Sequence, residues 1–235
     1  MNDDTLPRVS GIILAGGLSR RMGRDKALID FDGAPLIARV LERVRPLCAD
    51  VMIVANDQDA YAQFGVPVIG DVYPGKGSLG GAYSGLLAAH EQYVLAVACD
   101  MPFLNVALLR YLIALAPQFD VVIPRAPDPS SKVPRSARGD KPADVSRNVQ
   151  RVLAKQVDLH PTHAVYSKTC LPAMQARLLA GDLRLIGFHD KVRVRVVEPA
   201  EVDRFDPQHL SFFNANTPAD WEVARAFVAQ STKHV

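Results

Sequence analysis

Residues 9–26 read VSGIILAGGLSRRMGRDK, and this stretch sets how the rest of the chain is understood. Val9 to Leu14 is a short apolar run rich in β-branched residues, long enough for one buried strand and too short for a typical helix. Gly16 and Gly17 follow, and glycine lets the backbone approach a ligand closely or take positive φ. Arg20, Arg21, Arg24 and Lys26 then place four cations within seven residues, with Gly23 as a further hinge. A strand entering a glycine turn edged with fixed positive charge suits a polyphosphate. Backbone N–H groups take phosphate oxygens, Arg forks bind them bidentately, and Lys adds a point charge. The alternative is a strand-to-helix turn whose cations face solvent. From Gly17 to Lys26 the pattern is G-x5-G-x-x-K with no Ser or Thr after the lysine, so a Walker A loop is absent. No G-x-G-x-x-G follows the strand either, which argues against a dinucleotide fingerprint.

Working outward, apolar strands alternate with helical patterns. Asp30–Gly33 reads as a tight turn and Pro35 as the opening of a helix, with Leu36, Ile37, Val40, Leu41, Val44 and Leu47 as its buried stripe. Val51–Ala55 and Val66–Ile69 read as strands, the second closed by Asp71. YPGKGSLGG (73–81) reads as a glycine-rich loop before a helix from Ala82 to His90. Tyr93–Ala98 is the most apolar strand and is expected at the centre of the sheet. A helix over Leu104–Ala116 and strands over Asp120–Pro124 and Val192–Glu198 follow, the last at an edge, with a helix over Lys168–Ala180 between them. Thr217 as N-cap, Pro218 and Asp220 open a last helix to Ala229. This alternation predicts a single α/β domain over 8–229, with a mostly parallel sheet and helices on both faces. Between Arg125 and Gln150 the chain carries four prolines and almost no large apolar side chains, so 126–159 reads as a mobile surface insertion.

The 235 residues suit one core, and 49% hydrophobic with 22% charged residues is ordinary globular composition. A net charge of +2 is too small to drive nucleic-acid binding by bulk electrostatics. Cys48, Cys99 and Cys170 lack CxxC spacing and indicate neither a disulfide framework nor a zinc site. The acidic N-terminus has no signal-peptide core and no apolar run reaches membrane-span length, so a cytoplasmic protein without membrane contact is expected.

In an open parallel sheet, ligands bind beyond the carboxyl ends of the strands. Asp71 and Asp100 stand at such ends. Asp100, after the most apolar strand and before Met101-Pro102, is placed to hold a divalent metal, because Mg²⁺ favours one or two carboxylates plus substrate phosphates. Its competing role is to cap the next helix, a task for which Asn105 is equally suited. His160 and His163 bracket Pro161 and could serve a ligand, although packed or exposed histidines are commoner.

LAGGLSRRMGRDK resembles the N-terminal signature of the molybdenum cofactor guanylyltransferase (MobA-like) family. CDMPF (99–103), GSLGGAYSGL (77–86), HPTHAVYSK (160–168) and FFNANTPAD (212–220) are similar to its later blocks. The resemblance implies a Rossmann-like fold of nucleotidyltransferase type that moves GMP from GTP to the phosphate of the molybdopterin cofactor. By it, Leu14, Ala15, Gly16, Gly17, Asn56, Asp71 and Gly80 bind nucleotide, and Lys26 binds its phosphates. Arg21 meets the transferred group, Asp100 holds Mg²⁺, and Asn214, Asn216 and His163 lie toward the acceptor. Cofactor-receiving enzymes or insertion chaperones are the implied protein partners. Val54 departs from a position that is polar in relatives, and Lys76–Ser78 replaces a shorter turn. A nucleotidyltransferase with another base or acceptor, or a non-catalytic nucleotide or cofactor carrier, is the alternative.

Overall fold

The computed structural model describes residues 6–15, 25–126, 148–149 and 159–232. The strand predicted first is β1, Val9–Leu14, as the apolar run implied. Asp32 and Gly33 both take positive φ, 55° and 84°, in the two-residue turn of a small hairpin, β2 (Asp30–Phe31) and β3 (Ala34–Pro35). Asp-Gly is the pair that tolerates this left-handed turn. The chain continues into α1 (Leu36–Val44), β4 (Asp50–Val54), α2 (Gln58–Tyr61), β5 (Val68–Ile69) and α3 (Gly77–Ala88). Then come β6 (Tyr93–Ala98), α4 (Val106–Leu115), β7 (Val121–Pro124), β8 (His163–Ser167) and α5 (Leu171–Ala180). The chain closes with β9 (Val194–Val197), α6 (Pro199–Val202) and α7 (Pro218–Thr232).

The main sheet has seven strands in the order β5-β4-β1-β6-β8-β7-β9. Only β8 runs antiparallel to its neighbours among these strands, and β6 is central as expected. Successive strand residues go to opposite faces, so Ile13, Leu95 and Val97 join one core with α1 and α4, while Ile12, Val94 and Ala96 join another with α3 and α5. A sheet covered on both faces needs apolar residues at every strand position, which is why these strands read as continuous runs. Among the described residues no helix is long and apolar enough to cross a membrane.

The sequence reading needs correction at two places. Residues 77–81 are not loop: the helix begins at Gly77, five residues before the expected start. His163–Ser167 is a wholly buried antiparallel strand, inserted between β6 and β7. Within the span read as an insertion Ala126 and Val149 are buried, and Arg125 pairs with Leu159 across its base. Residues 127–147 and 150–158 lie outside the described residues.

Candidate active site

The strand order reverses at β1, because β4 and β5 add on one side of it and β6 follows on the other. Such a switch point opens a crevice beyond the carboxyl ends of the strands. The cleft found there is lined by Leu14 and Ala15 at the end of β1, Val54 at the end of β4, and Ala98, Cys99 and Asp100 at the end of β6. Asp71, Gly77, Ser78 and Gly81 form the wall on the α3 side, and Asp25, Lys26, Thr162 and Asn214 complete it. Backbone hydrogen bonds hold these ends in register. Ala15 N–H donates to Val54 O at 2.9 Å and Cys99 N–H to Leu14 O at 3.2 Å.

Asn105, not Asp100, caps the following helix: its side chain accepts from Leu108 N–H at 3.0 Å. The Asp100 carboxyl is thereby left for the cleft, while its main-chain carbonyl anchors Ala215 N–H at 3.0 Å. Burial pushes its pKa up, and the Lys26 ammonium works against that rise. Lys26 reaches the far wall, with its Nζ 3.4 Å from Asn216 Oδ1. Asp71 is clasped by Asn56 through two reciprocal bonds, Asn56 Nδ2 to Asp71 Oδ2 and Asp71 N–H to Asn56 Oδ1, both 3.1 Å. Asn56 therefore serves the site by orienting Asp71 rather than by lining the cleft.

The loop 213–217 is fixed by reciprocal capping at its end. Asn216 and Thr217 donate their N–H groups to Asp220 Oδ2 at 3.1 and 2.8 Å, and Asp220 N–H donates to Thr217 Oγ1 at 3.2 Å. That is the helix start the sequence predicted, and it holds Asn214 and Asn216 beside Asp100 and Lys26. His163 is elsewhere. It has no exposed surface, packs on Phe212 with ring centroids 5.5 Å apart, and offers nothing to an acceptor. Gly80 likewise turns away from the cleft: a Cβ there would lie 2.9 Å from Lys76 Cβ and 3.1 Å from Tyr73 O, so its glycine serves helix packing. Gly16, Gly17 and Arg21 lie outside the described residues.

Two participants were missed by the sequence reading. Asp25, hidden among four cations, caps the turn Lys26–Leu28 through Ala27 N–H and lines the cleft. Tyr61 reaches Asp25 Oδ2 at 2.5 Å from within the core. The signal for Asp25 was its place two residues before Ala27, the spacing of an N-cap; nothing in the sequence around Tyr61 pointed to it.

A carboxyl and an ammonium that share a cleft at the switch point of a parallel sheet define a class, the α/β domains that take phosphorylated ligands there. A family model, the MobA-like NTP transferase domain, matches residues 11–192. The molybdenum cofactor guanylyltransferase of Desulfosudis oleivorans is 32% identical over 94% of this chain and 96% of its own. That of Yersinia pseudotuberculosis is 32% identical over 93% and 97%. Among solved structures, the molybdopterin-guanine dinucleotide biosynthesis protein A of Archaeoglobus fulgidus superposes with a TM-score of 0.71 at 23% identity, covering 94% of this chain and 100% of that one. The 4-diphosphocytidyl-2C-methyl-D-erythritol synthase of Anaerococcus prevotii gives 0.63 at 18%, covering 95% and 99%, a likeness of fold. The chain belongs to the MobA-like NTP transferase family.

The glycines of α3 divide by purpose. A Cβ on Gly85 would lie 2.8 Å from Ile12 Cδ1 and 3.0 Å from Val54 Cγ2, where the core cannot give. A Cβ on Gly81 would meet nothing nearer than 3.6 Å, and its neighbours would be Asp71 Oδ1, Leu14 and Val54, all of which line the cleft. Gly85→Ala is therefore expected to lose about 1–2 kcal/mol of stability, overpacking outweighing helix propensity. Gly81→Ala should gain up to about 1 kcal/mol as a helix substitution. The same methyl, projecting into the cleft, should weaken nucleoside triphosphate binding roughly tenfold. Urea unfolding and nucleotide titration of both variants check this, and tight triphosphate binding by Gly81→Ala would show that the ligand does not use this wall.

Proposed function

We propose that the protein transfers GMP from GTP to the terminal phosphate of the molybdopterin-bound molybdenum cofactor, releasing pyrophosphate. The observation that carries this reading is the meeting of Lys26 and Asp100 in one cleft beyond β1 and β6. The names of relatives that share about a third of their sequence across nearly the whole chain supply the base and acceptor. An oxygen of the acceptor phosphate attacks the α-phosphorus of GTP in line, and the bond from that phosphorus to the bridging oxygen of the β-phosphate breaks. The acceptor is already ionised at neutral pH, so no general base is required. Catalysis rests on positioning and charge neutralisation. Lys26 neutralises the triphosphate, Arg21 meets the transferred group, and Leu14, Ala15, Gly16 and Gly17 approach the nucleotide with their backbone. Asp71, oriented by Asn56, takes the nucleoside side, and Asn214 and Asn216 face the acceptor.

The donor set fits Mg²⁺. Asp100 presents a hard carboxylate, Asp25 and Asp71 share its cleft, and Mg²⁺ completes its shell with waters and substrate phosphates. No preformed cluster of three acidic, histidine or cysteine ligands exists among the described residues, and this ion does not need one. Bound at Asp100, it would supply charge neutralisation to the α-phosphate and to the departing pyrophosphate. The reading places the protein in the cytoplasm with GTP and the cofactor as its partners.

Pyrophosphate release in the presence of Mg²⁺ and molybdate-loaded molybdopterin, compared for GTP, CTP and ATP, tests the proposal. Release with GTP alone is expected. Release with CTP instead would overturn the base, and release with none would overturn the transfer reaction.

A further inference from the structure

We infer that the Tyr61 hydroxyl is a positioning group for the triphosphate end of the site. It holds one carboxylate oxygen of Asp25, the cleft-lining residue whose other oxygen caps the turn carrying Lys26, and thereby fixes where the Lys26 ammonium is held. The inference rests on the nucleotide reading above. Tyr61 ends α2 and is 1% exposed, its ring 6.2 Å from that of Phe64. Its hydroxyl donates to Asp25 Oδ2 at 2.5 Å and lies 3.5 Å from Ala15 O. Ala15 is itself bound to the sheet through Val54 O. The other Asp25 oxygen accepts Ala27 N–H at 3.0 Å, which sets the turn carrying Lys26. A chain of bonds therefore runs from Tyr61 in the core through Asp25 to the base of the lysine, whose ammonium reaches Asn216 on the opposite wall.

Core packing alone would be served as well by phenylalanine, which has no hydroxyl to satisfy. The hydroxyl instead gives its one proton to a residue that lines the cleft. Burial and the adjacent carboxylate push the phenol's pKa up, so it keeps its proton and remains a donor. Asp25 is exposed at the cleft, and with both oxygens engaged its carboxylate is held in one orientation beneath Lys26.

Tyr61→Phe keeps the ring and removes the tie. Titrations with GTP, CTP and guanosine in the presence of Mg²⁺ are expected to show a roughly tenfold weaker triphosphate for the variant, the scale of one hydrogen bond to a charged group, with guanosine unchanged. Asp25→Ala should reproduce that pattern, and adding Tyr61→Phe to it should cost nothing further. Unaltered triphosphate affinity in a folded Tyr61→Phe, an equal loss for guanosine, or full additivity of the two substitutions would each overturn the inference. Should Tyr61→Phe fail to fold, Asp25→Ala decides alone: undiminished triphosphate affinity there overturns it. The wild-type preference between GTP and CTP reports on the guanylyl reading, whereas the ratio of wild type to variant, taken with whichever triphosphate binds, reports on the tie.

Discussion

Asp100→Asn is expected to lower GTP-dependent pyrophosphate release by roughly 10²–10³-fold, the usual effect of removing one charge-stabilising group from a transfer site. The same substitution should raise thermal stability. Asp100 owes nothing to helix capping, which Asn105 performs, and its bond to Ala215 N–H comes from the main chain and survives the change. Its folded pKa lies above the ordinary 3.8 because burial disfavours the charged form, and Lys26 offsets this only in part. A raised carboxyl pKa means that the group's favourable contribution exists below 3.8 and is lost as pH rises through the folded value. At pH above that ordinary value the group is thus a cost to the fold, one that Asn, which never ionises, does not carry. Stopped assays of pyrophosphate release and thermal scans at pH 7 check both halves. A variant that keeps more than a tenth of the wild-type rate would remove Asp100 from the transfer chemistry, and a lowered Tm would make it a structural residue.

How much of this was legible in the sequence depended on whether residue type and purpose agreed. β1 and β6 were read at their true limits because both faces of each strand are buried, and short runs so poor in polar residues have few other uses. The stripe of α1 was read correctly for the same reason: Leu36, Ile37, Val40, Leu41 and Val44 are all buried. The start of α3 was misplaced because Gly77, Gly80 and Gly81 lower helix propensity, while the structure uses Gly80 for close packing and Gly81 for an open cleft wall. Local propensity yielded there to tertiary demands. Asp71 and Asp100 could be anticipated because they follow apolar strands and so fall at the carboxyl edge of the sheet, and Lys26 because it belongs to the cation-rich stretch after β1. Tyr61 could not, because its bond to Asp25 spans 36 positions and no local pattern records it. His163 illustrates the opposite error. The motif around it suggested a ligand contact, yet strand pairing with Val97 turns it inward.

That buried histidine makes the second large prediction, a loss of stability on mild acidification. His163 is inaccessible, and neither ring nitrogen has a hydrogen-bond partner among the described residues. Burial, with a smaller push from His160, holds its pKa down at about 3, against an ordinary 6.5. Below pH 6.5 the unfolded chain therefore takes up a proton that the fold refuses. Stability from this group is intact above 6.5 and declines steadily toward pH 3, by about 1.4 kcal/mol per pH unit. Between pH 7 and pH 5 the expected loss is about 2 kcal/mol. His163→Leu, similar in size and without a titrating group, should abolish that portion of the slope. It should also be no less stable at pH 7, because it replaces an unpartnered buried polar ring with an apolar side chain against Phe212. Urea unfolding of both proteins at pH 7, 6 and 5 isolates the term, since every other histidine is common to the pair. Parallel curves would mean that His163 is protonated in the fold and that its surroundings accept a charge. A variant that converges on the wild type at pH 7 and exceeds it increasingly below 6.5 would place the cost of acidification in this one ring.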